Sequence, residues 1–149
     1  MNTTFTPFGI VLVLNVLWFG AGFWQFFLRP DGAAKVLVPR SARSSPLFKT
    51  VSASIRFLGG MNLTFCVFAA LLLANPTLFP DAGQLGLFAA IFSLAHGSQF
   101  YSNVPIALGG GRQGESYWPV LRGPMLYIFV IDGALMLANG VLAAKLLAT

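Results

Sequence analysis

The sequence predicts an all-α integral membrane protein, a four-helix bundle that forms one domain over residues 1–149. Of the 149 residues, 56% are hydrophobic and only 9% are charged, and the mean hydropathy is +0.77. Soluble domains carry roughly a quarter charged residues, so this chain has too few to cover a water-soluble globule. Four apolar segments are long enough to cross a bilayer about 30 Å thick as helices; they run over residues 8–28, 51–74, 85–108 and 121–147.

Polar segments that contain glycine or proline separate the four apolar ones, at residues 29–32, 75–81 and 109–119. Because the connection between the second and third segments is short, we expect those two helices to be antiparallel neighbours. The alternating pattern of a membrane β-barrel is absent from the sequence. The first apolar segment lacks the basic start and small-residue end of a signal peptide, so we expect it to persist as a helix.

Basic residues are distributed unequally between the two ends of the predicted bundle. Lys145 lies at the end that carries both termini and the 75–84 connection, whereas seven basic residues lie at the other end: Arg29, Lys35, Arg40, Arg43, Lys49, Arg112 and Arg122. Short loops rich in lysine and arginine stay in the cytoplasm. The sequence therefore predicts cytoplasmic loops at 29–50 and 109–120, with both termini on the non-cytoplasmic side.

Several chemistries receive no support from the sequence. Cys66 and His96 are the only residues of their types, so we expect no disulfide, no metal site and no cofactor. The glycine-rich segment 109–114 has no following Lys-Ser/Thr pair, which excludes a phosphate-binding loop. Because the basic residues are scattered and no binding motif accompanies them, we expect no nucleic acid partner. The expected partners are membrane lipids and either other integral membrane proteins or further copies of this chain.

Each predicted helix carries a polar face at helical spacing, and polar groups in hydrocarbon are expected to face the bundle interior. These faces contain Asn15, Trp18 and Gln25 on the first helix, Arg56 on the second, His96, Gln99, Phe100 and Asn103 on the third, and Asp132 and Asn139 on the fourth. Arg56, His96 and Asp132 are the ionisable residues well inside the segments, and all three fall in the same half of the membrane. We therefore predict one cluster in the cytoplasmic half, with His96 bonded to Asp132 and Arg56 as a hypothetical partner of Asp132.

Two interpretations of this cluster remain open. Intramembrane polar residues often join helices, with about 0.6 kcal/mol for each hydrogen bond. They also mark functional sites, and the predicted ligand-binding residues are Gln25, Arg56, His96, Gln99, Asn103 and Asp132. Glycines such as Gly59 and Gly60 are expected to allow close helix packing. The outer faces are expected to present Phe65, Phe68, Phe88 and Phe92 to lipid or to partner helices.

A short pattern in the second and third segments resembles a known family. The run 53–59, ASIRFLG, contains Arg56 and Gly59, and Leu94-Ala95-His96 is followed by Phe100. The pattern is similar to the ergosterol-biosynthesis scaffold family of four-helix membrane proteins, and the layout resembles small DoxX-like bacterial proteins. The resemblance implies a tether for membrane enzymes, in which Arg56 and His96 are a shared structural or ligand-contacting pair. Asp132 and the basic loop have no counterpart in that pattern.

Three functions are compatible with these features. The first is an accessory or scaffold protein that binds lipid or partner membrane proteins. It is not an enzyme, and the sequence favours it over the other two. The second is a small membrane enzyme or ligand-binding protein for a lipid, quinone or isoprenoid, with His96 as acid or base, Asp132 orienting it and Arg56 holding a substrate oxygen. The third is a dimeric proton-coupled transporter that uses Asp132.

Overall fold

A computed structural model of the chain describes residues 6–113 and 116–149. Residues 114 and 115 of the predicted 109–120 loop therefore lie outside the described residues. The regular secondary structure of the described chain is helical apart from a ribbon of two-residue antiparallel strands, β1 and β2. Its helices are α1 (Pro7–Phe23), a π-helical segment (Trp24–Leu28), α2 (Pro30–Leu37), a 3-10 turn (Arg40–Ala42), α3 (Leu47–Ala74), α4 (Ala82–Leu108) and α5 (Gly123–Leu147), with β1 (Arg112–Gln113) and β2 (Ser116–Tyr117) between α4 and α5.

The starts of α1 and α4 follow from local side-chain chemistry. The Thr6 hydroxyl accepts a hydrogen bond of 3.1 Å from the backbone N–H of Gly9, and Pro7 occupies the first helical position. Asp81 accepts a hydrogen bond of 2.9 Å from the backbone N–H of Gln84. Such caps satisfy backbone N–H groups that have no partner inside the helix, so these helices begin where the polar connections end.

The segment after α1 differs from the predicted loop. A π-helical stretch continues α1 to Leu28, and after Arg29 the chain starts the eight-residue helix α2. Pro30 suits the first turn of a helix because it has no N–H to leave unpaired. Asp31 suits the same turn because its negative charge interacts favourably with the positive N-terminal end of the helix dipole. Residues that the sequence analysis interpreted as breakers therefore end one helix and begin the next.

Three of the described helices are long and apolar enough to cross a membrane, and they span residues 7–28, 47–74 and 123–147. This agrees with a membrane protein and with three of the four predicted segments. The helix α4 has 27 residues, but His96, Gln99 and Asn103 lower the hydropathy of its second half. A membrane-spanning role for α4 therefore stays a prediction.

Close helix packing joins α1 to α3 and α4 to α5. At Gly59 a Cβ atom would lie 2.5 Å from the backbone nitrogen of Phe27, so a glycine is required there for the two backbones to approach. Gly60, which the sequence analysis grouped with Gly59, faces open space instead. Successive glycines differ in this way because neighbouring positions on a helix point in directions about 100° apart.

The sequence predicted that Phe65, Phe68, Phe88 and Phe92 face outward, and this prediction is wrong for Phe92. Phe92 is fully buried, and its ring lies 6.1 Å from Phe19, 5.6 Å from Phe68 and 6.2 Å from Phe65 between ring centroids. Phe68 also contacts Phe88 edge to face at 5.4 Å. These rings connect the closely packed pair of α1 and α3 to α4, because large flat side chains can fill the wider space between helices.

Candidate ligand-binding site

Four polar side chains from three helices meet in the interior. Asn15 of α1, His96 of α4, and Asp132 and Asn139 of α5 are each at most 1% exposed. A buried polar group is costly unless it forms hydrogen bonds. The bonds among these four residues therefore decide what the site can do.

The backbone carbonyl of Leu135 in α5 determines how the side-chain amides of Asn139 and Asn15 are oriented. The Asn139 side-chain nitrogen donates to the backbone oxygen of Leu135 at 2.8 Å and to Oδ1 of Asn15 at 3.2 Å. The Asn15 side-chain nitrogen donates to Oδ1 of Asn139 at 3.0 Å. Because a carbonyl oxygen can only accept, the amide nitrogen of Asn139 must face Leu135. This choice makes Oδ1 of Asn15 the atom that faces His96.

The same reasoning assigns a proton on His96. Its Nε2 lies 3.0 Å from Oδ1 of Asn15, which can only accept, so Nε2 carries a hydrogen. Its Nδ1 lies 2.9 Å from Oδ1 of Asp132. The Phe19 ring stacks on the imidazole with centroids 4.5 Å apart and holds the ring plane. The sequence-based prediction of a His96–Asp132 bond agrees with this geometry.

The contact between His96 and Asp132 requires one shared proton. A hydrogen must lie between Nδ1 and Oδ1 at 2.9 Å, and it belongs either to an imidazolium beside a carboxylate or to a carboxylic acid beside a neutral imidazole. Both arrangements contain the same number of protons. The pair is therefore neutral overall, whichever atom holds the hydrogen.

The two oxygens of Asp132 have different surroundings. Oδ1 also accepts a hydrogen bond of 2.8 Å from Nε1 of Trp18. Oδ2 is buried and has no hydrogen-bond partner within residues 6–113 and 116–149. Since nearly all buried polar atoms are paired in native structures, this oxygen is the one unsatisfied side-chain acceptor that the described interior presents.

Asp132 forms part of the wall of a cavity of about 520 Å³. Four predicted ligand-binding residues border this cavity, and they are Gln25, Gln99, Asn103 and Asp132. Most of the remaining wall is apolar, with side chains such as Ile55, Leu58, Met125 and Ile128. Lysine, arginine and glutamate are absent from the described wall. The cavity has the usual volume of a small-molecule site, and its few polar groups sit in apolar surroundings.

The remaining two predicted residues lie elsewhere. His96 is fully buried behind Asp132 and does not border the cavity in the described structure. Arg56 is exposed and borders a separate cavity with Arg29, Asp31 and Lys49. The hypothetical pairing of Arg56 with Asp132 does not occur among the described residues, because the two side chains border different cavities.

Several site residues went beyond the predicted set. Trp18, Asn15 and Asn139 fell on the polar faces of their helices, but helical spacing alone could not pair them with His96 and Asp132. Asn62 and Trp118 also border the cavity, and Nε1 of Trp118 donates to Oδ1 of Asn103 at 3.0 Å. Trp118 lies between β2 and α5, so helical spacing could not have placed it beside Asn103.

Neither a protein-family model, nor a curated protein, nor a solved structure matches this chain.

Proposed function

We propose that this chain is a multi-pass membrane protein that binds a neutral amphipathic molecule, one with a hydroxyl group and an apolar body, in the cavity beside Asp132. The proposal includes an antiparallel bundle of α1, α3, α4 and α5, with the predicted cytoplasmic loops. The observation that carries it is the unpaired Oδ2 of Asp132 in a residue that borders an otherwise mainly apolar cavity.

The chemistry of the site favours a ligand that donates a hydrogen bond. Oδ2 of Asp132 can accept one, and the ligand's apolar body would contact residues such as Ile55 and Ile128. The side-chain amides of Gln25 and Gln99 make no hydrogen bond to another described residue, so they are available to the oxygen of the same ligand.

The charge of the site favours a neutral ligand over a cation. The His96–Asp132 pair carries no net charge in either arrangement of its proton, and the described wall adds no lysine, arginine or glutamate. An ammonium ion would lose its hydration without meeting an uncompensated anion, which is unfavourable in a low-dielectric site. A hydroxyl loses much less.

Binding has more support than acid–base catalysis by His96. Both ring nitrogens of His96 are occupied by protein hydrogen bonds, and the ring lies behind Asp132. A general acid or base must come within hydrogen-bond reach of the reacting group. The scaffold function stays a prediction, since the exposed side chains of Phe57, Leu94 and Leu108 suit lipid and partner helices equally.

Tryptophan fluorescence offers a direct test. The chain has three tryptophans, and two of them, Trp18 and Trp118, border the cavity. In a Trp24→Phe background the emission therefore reports the cavity alone. The protein in nanodiscs would be titrated with dodecan-1-ol, dodecyl methyl ether and dodecylamine, which share one chain and differ in the polar group. We expect a saturable emission change with the alcohol at the lowest concentration.

The variant Asp132→Asn sharpens the test. With a hydrogen on Nδ1 of His96, the amide oxygen of the variant can keep the contacts of Oδ1 with Trp18 and His96, so that an NH₂ group replaces Oδ2 and donates where Asp132 accepts. We expect the preference to change from the alcohol towards the ether. Asp81→Asn is the matched control, because asparagine caps a helix as well as aspartate does. Equal responses to all three probes in wild type and variant would contradict the proposal.

A further inference from the structure

A second cavity, of about 500 Å³, lies where the π-helical segment ends and α3 begins. Its wall contains three cationic side chains, Arg29, Lys49 and Arg56, and one carboxylate, Asp31. The described wall therefore carries an excess of positive charge. This site is separate from the cavity beside Asp132 and does not depend on a ligand in that cavity.

Asp31 is already engaged by the protein. The Ser52 hydroxyl donates to Oδ1 of Asp31, and Nζ of Lys49 lies 3.0 Å from Oδ2. These two bonds hold the pKa of Asp31 below its ordinary value of 3.8, with the Ser52 bond as the larger cause. Asp31 is therefore ionised near neutral pH and compensates Lys49. The charges of Arg29 and Arg56 remain without an anionic partner among the described residues.

The surroundings of Arg56 are those of a lipid-facing residue. It lies on α3, one of the helices apolar enough to cross a membrane, and its side chain is exposed. The next residue, Phe57, is 83% exposed. A charged side chain in such surroundings must reach water or an anion.

Arg29 indicates the level of the lipid headgroups. Its guanidinium lies 5.7 Å from the centroid of the exposed Trp24 ring. Tryptophan concentrates at the membrane–water interface, where its ring is partly in lipid and partly in water. Leu28 belongs to the same cavity wall and is 49% exposed, so apolar surface adjoins the basic groups.

We propose that the cavity between Arg29, Lys49 and Arg56 binds the phosphate of an anionic phospholipid, with the acyl chains along exposed apolar residues such as Leu28 and Phe57. Guanidinium groups suit this role because they bind phosphate oxygens through two parallel hydrogen bonds. The exposed apolar residues beside the cavity favour a lipid phosphate over a free phosphate ion. The predicted cytoplasmic location of the 29–50 connection agrees, because anionic lipids are enriched in the cytoplasmic leaflet.

Lipid-dependent thermal stability tests the proposal. The protein would be placed in nanodiscs of phosphatidylcholine with and without phosphatidylglycerol, and unfolding would be followed by alkylation of the single cysteine, Cys66. We expect phosphatidylglycerol to raise the Tm of wild type and to lose most of that effect in Arg56→Gln and in Arg29→Gln. Arg40→Gln is the matched control, since Arg40 is exposed and does not border the cavity.

Three results would overturn the proposal. Phosphatidylglycerol could leave the Tm of wild type unchanged. Arg40→Gln could lose as much of the effect as Arg56→Gln, which would indicate a nonspecific surface charge. Inorganic phosphate could reproduce the shift in pure phosphatidylcholine, which would identify a free anion as the ligand. If Arg56→Gln does not fold, Arg29→Gln tests the proposal instead, because Arg29 lies between two helical segments and not inside a helix.

Discussion

Oδ1 of Asp132 accepts from Nε1 of Trp18 at 2.8 Å and lies 2.9 Å from Nδ1 of His96, so one oxygen joins α1, α4 and α5. The carboxylate thus has one oxygen that two helices share and one that faces no described partner. Under the proposed function, Oδ1 has a structural role, whereas Oδ2 is the atom that would accept a hydrogen bond from the ligand.

The buried pair predicts a strong coupling between His96 and Asp132. His96→Leu leaves the buried Asp132 without its partner in the shared-proton contact, which should lower the free energy of unfolding by about 3 kcal/mol. Replacing both residues with leucine removes the unpaired side chain as well, so the double variant should lose less than the two single variants together. Thermal unfolding in nanodiscs, followed by alkylation of Cys66, would measure this. Strict additivity of the two losses would show that the pair is not coupled.

The hydrogen bond of Trp18 predicts a difference between tryptophans. Trp18→Phe keeps an aromatic ring but removes the donor to Asp132, and the loss of a bond to a buried acceptor should cost about 1–3 kcal/mol. Trp24→Phe is the control, since Trp24 is 55% exposed and makes no hydrogen bond through its side chain in the described structure. Equal Tm values for the two variants would argue against the Trp18 bond.

The two adjacent glycines of α3 predict opposite responses to alanine. A Cβ at position 59 would lie 2.5–2.8 Å from atoms of Phe27, including backbone atoms that cannot rotate away. Gly59→Ala should therefore destabilise the protein by about 1–3 kcal/mol. Gly60→Ala meets open space and should be neutral or slightly stabilising, because alanine favours a helix over glycine. A larger loss at position 60 than at position 59 would contradict the packing of α3 on the π-helical segment.

The lowered pKa of Asp31 predicts how stability depends on acid. The folded state holds the proton of Asp31 less tightly than the unfolded chain, whose value is 3.8. The stabilisation by Ser52 and Lys49 is therefore fully present above about pH 5 and is lost as the pH falls through and below 3.8. Asp31→Asn should be less stable than wild type near pH 7, and the difference should shrink towards pH 3. Tm measurements across this range would check it, and a constant difference would refute it.

The sequence by itself predicted that lipid surrounds most of this protein and which face of each helix is polar. Composition and segment length indicate lipid, and they do not depend on how the helices meet. Helical spacing placed Asn15, His96 and Asp132 on polar faces, since that spacing is a local property of the chain. It could not predict that Pro30 and Asp31 begin a helix, because the same residues also serve as breakers.

Only the tertiary structure decided which polar residues meet. The sequence predicts Arg56, His96 and Asp132 in the same half of the membrane, but depth does not fix the rotation of one helix against another. Gly59 approaches Phe27 in the π-helical segment that continues α1. Arg56 is exposed and borders a different cavity from Asp132. The contacts of α4 with α5 bring His96 to Asp132, while α1 supplies Asn15 and Trp18. Partners distant in sequence follow from packing, and no local pattern contains that information.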